Sequence, residues 1–187
     1  MLSLVAVGAV RADGTFDATD SAQHSDMRDI RREALVPYSA TRMFGLIERV
    51  EDYPQFLPWC LSTQLIDRTD TSVSATVEVG VRDLRVRVTT RNDKRAPEFM
   101  AVHMEGGSFR HFYGEWLLRP LSESGCHIFF RLQFELALRA DALAGRLIEH
   151  AADRMVDAFV QRADAIFGPS PPVNAPSAES TSERLVR

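Results

Sequence analysis

Lysine is nearly absent from this 187-residue chain: of 22 basic residues, Lys94 alone is not an arginine. That bias reflects genome composition and carries no functional reading. Cysteine is scarce as well. Cys60 and Cys126 stand far apart and in no Cys-x-x-Cys pattern, so neither a disulfide scaffold nor a structural zinc site is expected. No apolar run reaches the roughly 18 residues that span a bilayer, so no transmembrane helix is expected. The formal net charge of −4 argues against a dedicated nucleic-acid coat, and no DNA partner is expected. Catalytic signatures are missing too: there is no Gly-x-Ser-x-Gly, no His-Glu-x-x-His and no glycine-rich phosphate loop. His24, His103, His111, His127 and His150 show no metal-ligand spacing, so no metal site is expected.

What remains is a chain able to build a core, 45% hydrophobic and 26% charged, of a length that suits one domain with tails. Residues 1–27 set Arg11 against Asp13, Asp17, Asp20 and Asp26, and read as a disordered N-terminal extension. Residues 168–187 are rich in Pro and Ser without apolar period, and read as a disordered tail. The folded unit is expected over residues 28–167.

Within that unit the hydrophobic period changes in order. Asp29 to Val36 reads as a strand, stopped by Pro37. Ser39 suits an N-cap, and Ala40 to Val50 places Met43, Phe44, Ile47 and Val50 on one helical face. Asp52 is read as capping a second, one-turn helix confined by Pro54 and Pro58. Val73, Ala75, Val77 and Val79 then alternate with polar residues. After a turn at Gly80–Asp83, Leu84, Val86 and Val88 alternate with Arg85, Arg87 and Thr89. The turn length predicts a hairpin in which Val77 faces Val86 and Glu78 faces Arg85.

Further strands are predicted at Phe99–Met104, Phe112–Arg119 and Cys126–Arg139. A long helix follows from Asp141, its expected N-cap, to Phe167, stopped by Gly168-Pro169. The order is strand, two short helices, six strands, long helix. A sheet with one apolar face needs a cover, and the last helix supplies it. The fold class is therefore α+β, a helix-grip arrangement in which a curved antiparallel sheet wraps a long C-terminal helix. The space between them is either filled with side chains or left as a cavity.

Two stretches carry a family resemblance. Ala34-Leu-Val-Pro-Tyr-Ser-Ala40 and Val50-Glu-Asp-Tyr-Pro-Gln-Phe-Leu-Pro-Trp-Cys60 resemble the first strand-and-turn and the Tyr-Pro-x-Phe-Leu-Pro segment of the coenzyme Q-binding, START-like family. Thr89-Thr-Arg-Asn92 and Gly114-Glu-Trp116 before Pro120-Leu121 are weaker matches. That family also contains the bacterial ribosome association toxins and sits near the polyketide cyclases of the SRPBCC superfamily. The resemblance covers residues 28–167. It implies a START-like fold that binds ubiquinone or another isoprenoid quinone without turning it over, as a carrier or chaperone supporting respiration. In some bacteria it implies instead a toxin that binds the large ribosomal subunit and inhibits translation initiation. The location implied is cytoplasmic, with transient peripheral contact at the inner face of the membrane.

The candidate site follows from pattern and fold together. Val77, Val86, Val88, Phe99, Trp116, Phe130, Phe134, Met155 and Phe159 form the expected apolar interior, either a plain core or the lining of a lipid cavity. His103, mid-strand beside Phe99 and Ala101, is read as facing inward, to be satisfied by backbone or by a ligand carbonyl. Tyr53, Phe56, Leu57 and Trp59 either plug the sheet end or rim a pocket mouth, where Trp suits an interface. Gly106 and Gly107 sit in an expected linking loop, an ordinary turn or a gate. Arg85, Arg87 and Arg91, with Lys94 and Arg95 just after, form an outward basic stripe, a solvated strand face or a contact for RNA or anionic lipid.

No inward Lys or Arg is seen in the patterned strands, which favours a neutral ligand. Three functions stay open: a quinone or lipid carrier, a ribosome-binding inhibitor, and a cyclase or hydratase. The third would need an inward acid–base pair.

Overall fold

The computed structural model describes residues 27–107, 109–137 and 142–168. The readings of both tails, and of Asp141 as an N-cap, lie outside the described residues. Strand β1 (Arg28–Val36) leads into helix α1 (Ala40–Glu48) and a short 3-10 helix (Val50–Gln55). Six strands follow: β2 (Cys60–Arg68), β3 (Ser72–Val81), β4 (Leu84–Arg95), β5 (Phe99–Gly107), β6 (Phe109–Ser122) and β7 (Gly125–Leu136). Helix α2 (Ala142–Phe167) ends the described chain. The strands form one antiparallel sheet in the order β1-β7-β6-β5-β4-β3-β2. Only β1 returns across the sheet, to pair with β7; every other neighbour is joined in sequence.

The local elements follow from their residues. Ser39 caps α1, its side-chain oxygen accepting from the Arg42 N–H at 3.3 Å, and Met43, Phe44 and Ile47 are buried on one face. The 3-10 helix begins earlier than expected, with Arg49 and not Asp52 at its N-cap; Asp52 instead pairs with Arg49 at 3.0 Å. β6 and β7 alternate as their sequences require, burying Gly114, Trp116 and Leu118 on one and Ile128, Phe130, Leu132 and Phe134 on the other. β2 is an edge strand exposed over most of its length, so its sequence carries no period-two signal.

Three expectations about strand detail are corrected. In the β3–β4 hairpin Val77 pairs with Val88, Val79 with Val86 and Glu78 with Arg87. The turn is the two residues Arg82 and Asp83, with Arg82 at φ 54°, and not the four residues Gly80–Asp83. The register therefore moves by two, which leaves each side chain on its expected face. Gly106 and Gly107 are the last residues of β5, paired with Thr89 and Val88, and not a gating loop. Gly107 has φ 142°, and a Cβ there would meet the Arg87 carbonyl at 2.8 Å, so only glycine allows this approach. Finally, β4 runs to Arg95 and keeps alternating. Lys94 thus leaves the outward stripe: it is buried, and its Nζ lies 2.7 Å from Glu48 of α1.

Helix α2 lies across the apolar face and is pinned near its C-terminal end. Phe159 is fully buried, with ring centroids 5.5 Å from Tyr53, 5.1 Å from Phe56 and 5.3 Å from Trp116. The Tyr38 hydroxyl lies in hydrogen-bond reach of Asp164 and, at 2.9 Å, of the Gly168 carbonyl. Arg28 and Arg32 of β1 pair with Glu149 and Asp153 along the helix's outer side. Such half-exposed pairs orient more than they stabilise.

Glu51 links the 3-10 helix to β2 through two hydrogen bonds from Arg68, at 2.6 and 2.8 Å. Those bonds hold its carboxyl near 2, below the ordinary 4.5. A depressed folded-state value stabilises the fold above the ordinary value, and that contribution is lost as pH falls from 4.5 toward 2. The stability gap between wild type and Glu51→Gln, read by urea unfolding, should therefore be widest near neutral pH and close across that window. A gap that stays constant with pH would show that the pair does not couple to folding.

Candidate ligand cavity

Between α2 and the sheet lies a cavity of about 130 Å³. A buried water needs roughly 10–15 Å³ of such space, so the void is the size of about ten waters. It exists because α2 presents Ile148, Ala151, Ala152 and Met155 over the middle of the sheet. These lie three or four apart, on one stripe, and the two alanines are short. One turn later Phe159 fills the gap that they leave open. The sheet side of the void is Val77, Val79, Val88, Met100, Val102, Trp116, Phe130 and Leu132, with Phe112 and Gly114. Val50, Tyr53, Leu57, Trp59 and Cys60 close the remaining side.

Of the expected interior residues, the structure brings Val77, Val88, Trp116, Phe130 and Met155 together on this cavity. Tyr53, Leu57 and Trp59 line the void too, and Trp59 also borders the open groove outside it, whereas Phe56 packs behind them on Phe159. Val86, Phe134 and Phe159 belong to the packed core and do not line the void. Gly106 and Gly107 lie away from it.

Phe99 and His103 are corrected. The inward residues of β5 are Met100, Val102 and Met104, so Phe99, Ala101, His103 and Glu105 take the other parity. The His103 side chain is 49% exposed, beside Tyr113 and 3.7 Å from Asp93. A one-residue slip in reading a strand turns every side chain over. The signal against that slip was available, since His103 and Glu105 share a parity.

Thr90 and Asn92 were missed. Both are 5% exposed and line the cavity from β4. Continuing the alternation of Val86 and Val88 past Thr89 places Thr90, Asn92 and Lys94 inward; their polarity disguised it. Lys94 and Glu48 do make an inward acid–base pair, but neither lines the cavity.

The electrostatics of the void are simple. None of the described residues that line it is charged. Burial pushes the Cys60 thiol up to about 11, so it stays protonated at neutral pH and is not a poised nucleophile. Burial likewise raises the Tyr53 phenol, whose hydroxyl donates to the Ile47 carbonyl at 2.5 Å. Such a cavity suits a neutral, mostly apolar molecule, with Thr90 and Asn92 as polar groups on its β4 wall.

The outer surface is a different place. Glu78 accepts from Arg87 at 2.6 Å and from Arg85 at 3.5 Å, and Arg91 pairs with Asp93 at 3.1 Å. Past Trp59 an open groove is lined by Pro58, Val81, Leu84, Leu143 and Leu147, with Arg82, Asp83, Arg146 and His150. Among the described residues no helix is long and apolar enough to cross a membrane, and no three metal-ligating side chains converge.

Helix, sheet and apolar void define the class: a START-like helix-grip protein whose interior suits a hydrophobic ligand. The chain belongs to the polyketide cyclase/dehydrase and lipid transport family, whose pattern it matches over residues 36–160. The ribosome association toxin RatA of Escherichia coli is 37% identical over 142 residues, spanning 75% of this chain and 90% of that protein. The mitochondrial coenzyme Q-binding protein of Schizosaccharomyces pombe is 23% identical, over 71% of this chain and 85% of its own. Among solved structures, a START superfamily protein from Mycobacterium smegmatis superposes with TM-score 0.63 at 15% identity, over 73% of this chain and 97% of that one. The Zhui aromatase/cyclase from a Streptomyces species gives 0.64 at 15% identity, over 74% and 94%. At such identities the structures show the shared fold alone.

The cavity's edge makes a prediction about α2. Phe159 is packed on three rings, so Phe159→Ala should cost about 3–5 kcal/mol of unfolding free energy. Met155 already faces a void, so Met155→Ala should cost clearly less. Equal losses in chemical denaturation would mean that the void is filled in solution.

Proposed function

We propose that this protein binds an isoprenoid quinone, most simply ubiquinone, and carries or presents it without chemistry. The observation that supports this reading is the uncharged, almost wholly apolar cavity between α2 and the sheet. A benzoquinone ring fits a void of that size; a long isoprenoid tail does not. The tail leaves past Trp59, which borders both the cavity and the outer groove, and lies along Val81, Leu84 and Leu143. Val81 and Leu143 are 56% and 67% exposed, apolar surface that a tail would cover. A carrier reading also accounts for the lack of an activated group: the cavity's thiol and phenol are both held in their protonated forms.

A second reading is carried by one observation. The relatives named as ribosome association toxins are more similar in sequence, at 37% identity, than the relative named as coenzyme Q-binding, at 23%. A ribosome contact would use the outer face, where Arg85, Arg87 and Arg91 stand. Acidic partners on the same face already offset part of that charge, which weakens the stripe as an RNA contact.

Organic extraction of the purified protein followed by mass spectrometry decides the first reading. Wild type should release a quinone, and Val77→Phe, which fills the void, should release several-fold less while staying folded. Protein that carries no lipid, and whose melting temperature added quinone does not raise, would end the carrier reading. The triple variant with Arg85, Arg87 and Arg91 changed to Gln separates the two. It should keep its quinone. A steeply salt-sensitive association with the large ribosomal subunit that this variant loses would favour the second reading.

A further inference from the structure

Among the described residues, Asn92 Oδ1 is the one buried side-chain oxygen or nitrogen without a hydrogen-bond partner. It stands where that is most costly. Asn92 is 5% exposed, sits on β4 between Val73 of β3 and Val102 of β5, and lines the apolar cavity. Leaving a buried amide oxygen unpaired carries its full desolvation penalty, whereas an apolar residue of the same shape carries none of it. Valine already serves at two inward positions of the same strand, Val86 and Val88. Thr90, the next inward residue toward the hairpin, is buried beside the same void. A polar pair thus faces a mostly apolar space whose phenol, Tyr53, is already bonded to the Ile47 carbonyl.

From this placement we infer that Asn92 is a ligand-recognition residue: its side-chain oxygen accepts a hydrogen bond from a hydroxyl group of the ligand head. The inference rests on reading the cavity as a quinone site, and it sharpens that reading. A quinone ring carries carbonyl oxygens, which are acceptors; its reduced form carries hydroxyls, which are donors. An acceptor in the cavity wall therefore selects the hydroquinone. The protein would hold the reduced carrier more tightly than the oxidised one, with no electron transfer on the protein itself. One neutral hydrogen bond, gained against an otherwise unpaired atom, corresponds to about tenfold in affinity.

The test is anaerobic titration calorimetry with a decyl-tailed benzoquinone and its hydroquinone, on lipid-stripped wild type and on Asn92→Leu. Wild type should bind the hydroquinone about tenfold more tightly, and Asn92→Leu should bind both forms equally, at the affinity wild type shows for the quinone. The stripped variant should also melt about 2–4 °C higher, because an unpaired polar atom has been removed. Should leucine not be housed, Asn92→Val gives the same readout. Equal affinities in wild type overturn the inference and leave the carrier reading standing, a water then being Asn92's partner. A preference for the oxidised form that the variant loses overturns the hydroxyl assignment. A variant that melts several degrees lower shows a structural role and also overturns it. Binding of neither form by wild type removes the carrier reading and this inference together.

Discussion

Helix α2 is held against the sheet at one end and propped off it in the middle, and the rest of the molecule depends on that asymmetry. Near the C-terminal end Phe159 sits among Tyr53, Phe56 and Trp116, and Tyr38 reaches Asp164. Close packing there sets the distance between helix and sheet. Two turns earlier the helix offers alanines to the same sheet, and a void remains. Protein interiors tolerate few voids larger than a water, and one of this size among Val, Phe, Trp and Met side chains has the room and the lining that suit an apolar guest. The Tyr-Pro-x-Phe-Leu-Pro segment closes the void's side and supplies two of the three rings that grip Phe159.

Strand β4 adds direction. Its inward residues run Val86, Val88, Thr90, Asn92, Lys94, from apolar at the hairpin end to charged at the other. Lys94 is neutralised by Glu48 of α1, so its charge ends in an ion pair beyond the lining. A buried lysine without that partner would be strongly destabilising. The cavity therefore sees a graded wall: hydrocarbon near the groove and Trp59, amide and hydroxyl at depth. On the proposed reading, a molecule with one polar head and one apolar tail would enter head inward and leave its tail toward the groove.

The fold itself makes no choice between carrier, ribosome factor and enzyme. Relatives of this chain bear names of the first two kinds, and a cyclase shares its architecture. What differs among such proteins is the chemistry of the few inward polar positions and of the outer surface. Here the inward positions are a neutral amide, a hydroxyl, a protonated thiol and a phenol. Groups of this kind suit the binding and orienting of a neutral ligand, and burial keeps the thiol and the phenol protonated at neutral pH.

Period and punctuation in the sequence determined the element order, the α+β class, the faces of β3, β6 and β7 and of β4 as far as Val88, the Ser39 cap and the stripe of α2. Those features rest on local rules, the two-residue alternation of strands and the 3.6-residue turn of helices, which a chain obeys wherever it lies. Edge strand β2 lacked a signal because exposure on both faces leaves no alternation to see. β5 was ambiguous because Phe99 and Ala101 compete with Met100 and Val102 for the inward face, and only pairing with β4 and β6 decides between them. Which apolar residues are core and which line a cavity was beyond any pattern. Phe159 and Met155 lie on the same stripe one turn apart, yet one is gripped by three rings and the other faces a void. That difference is fixed by the distance between helix and sheet, a property of packing among residues far apart in the chain, and so is the pairing of Lys94 with Glu48 that leaves Asn92 as the cavity's unpartnered polar group.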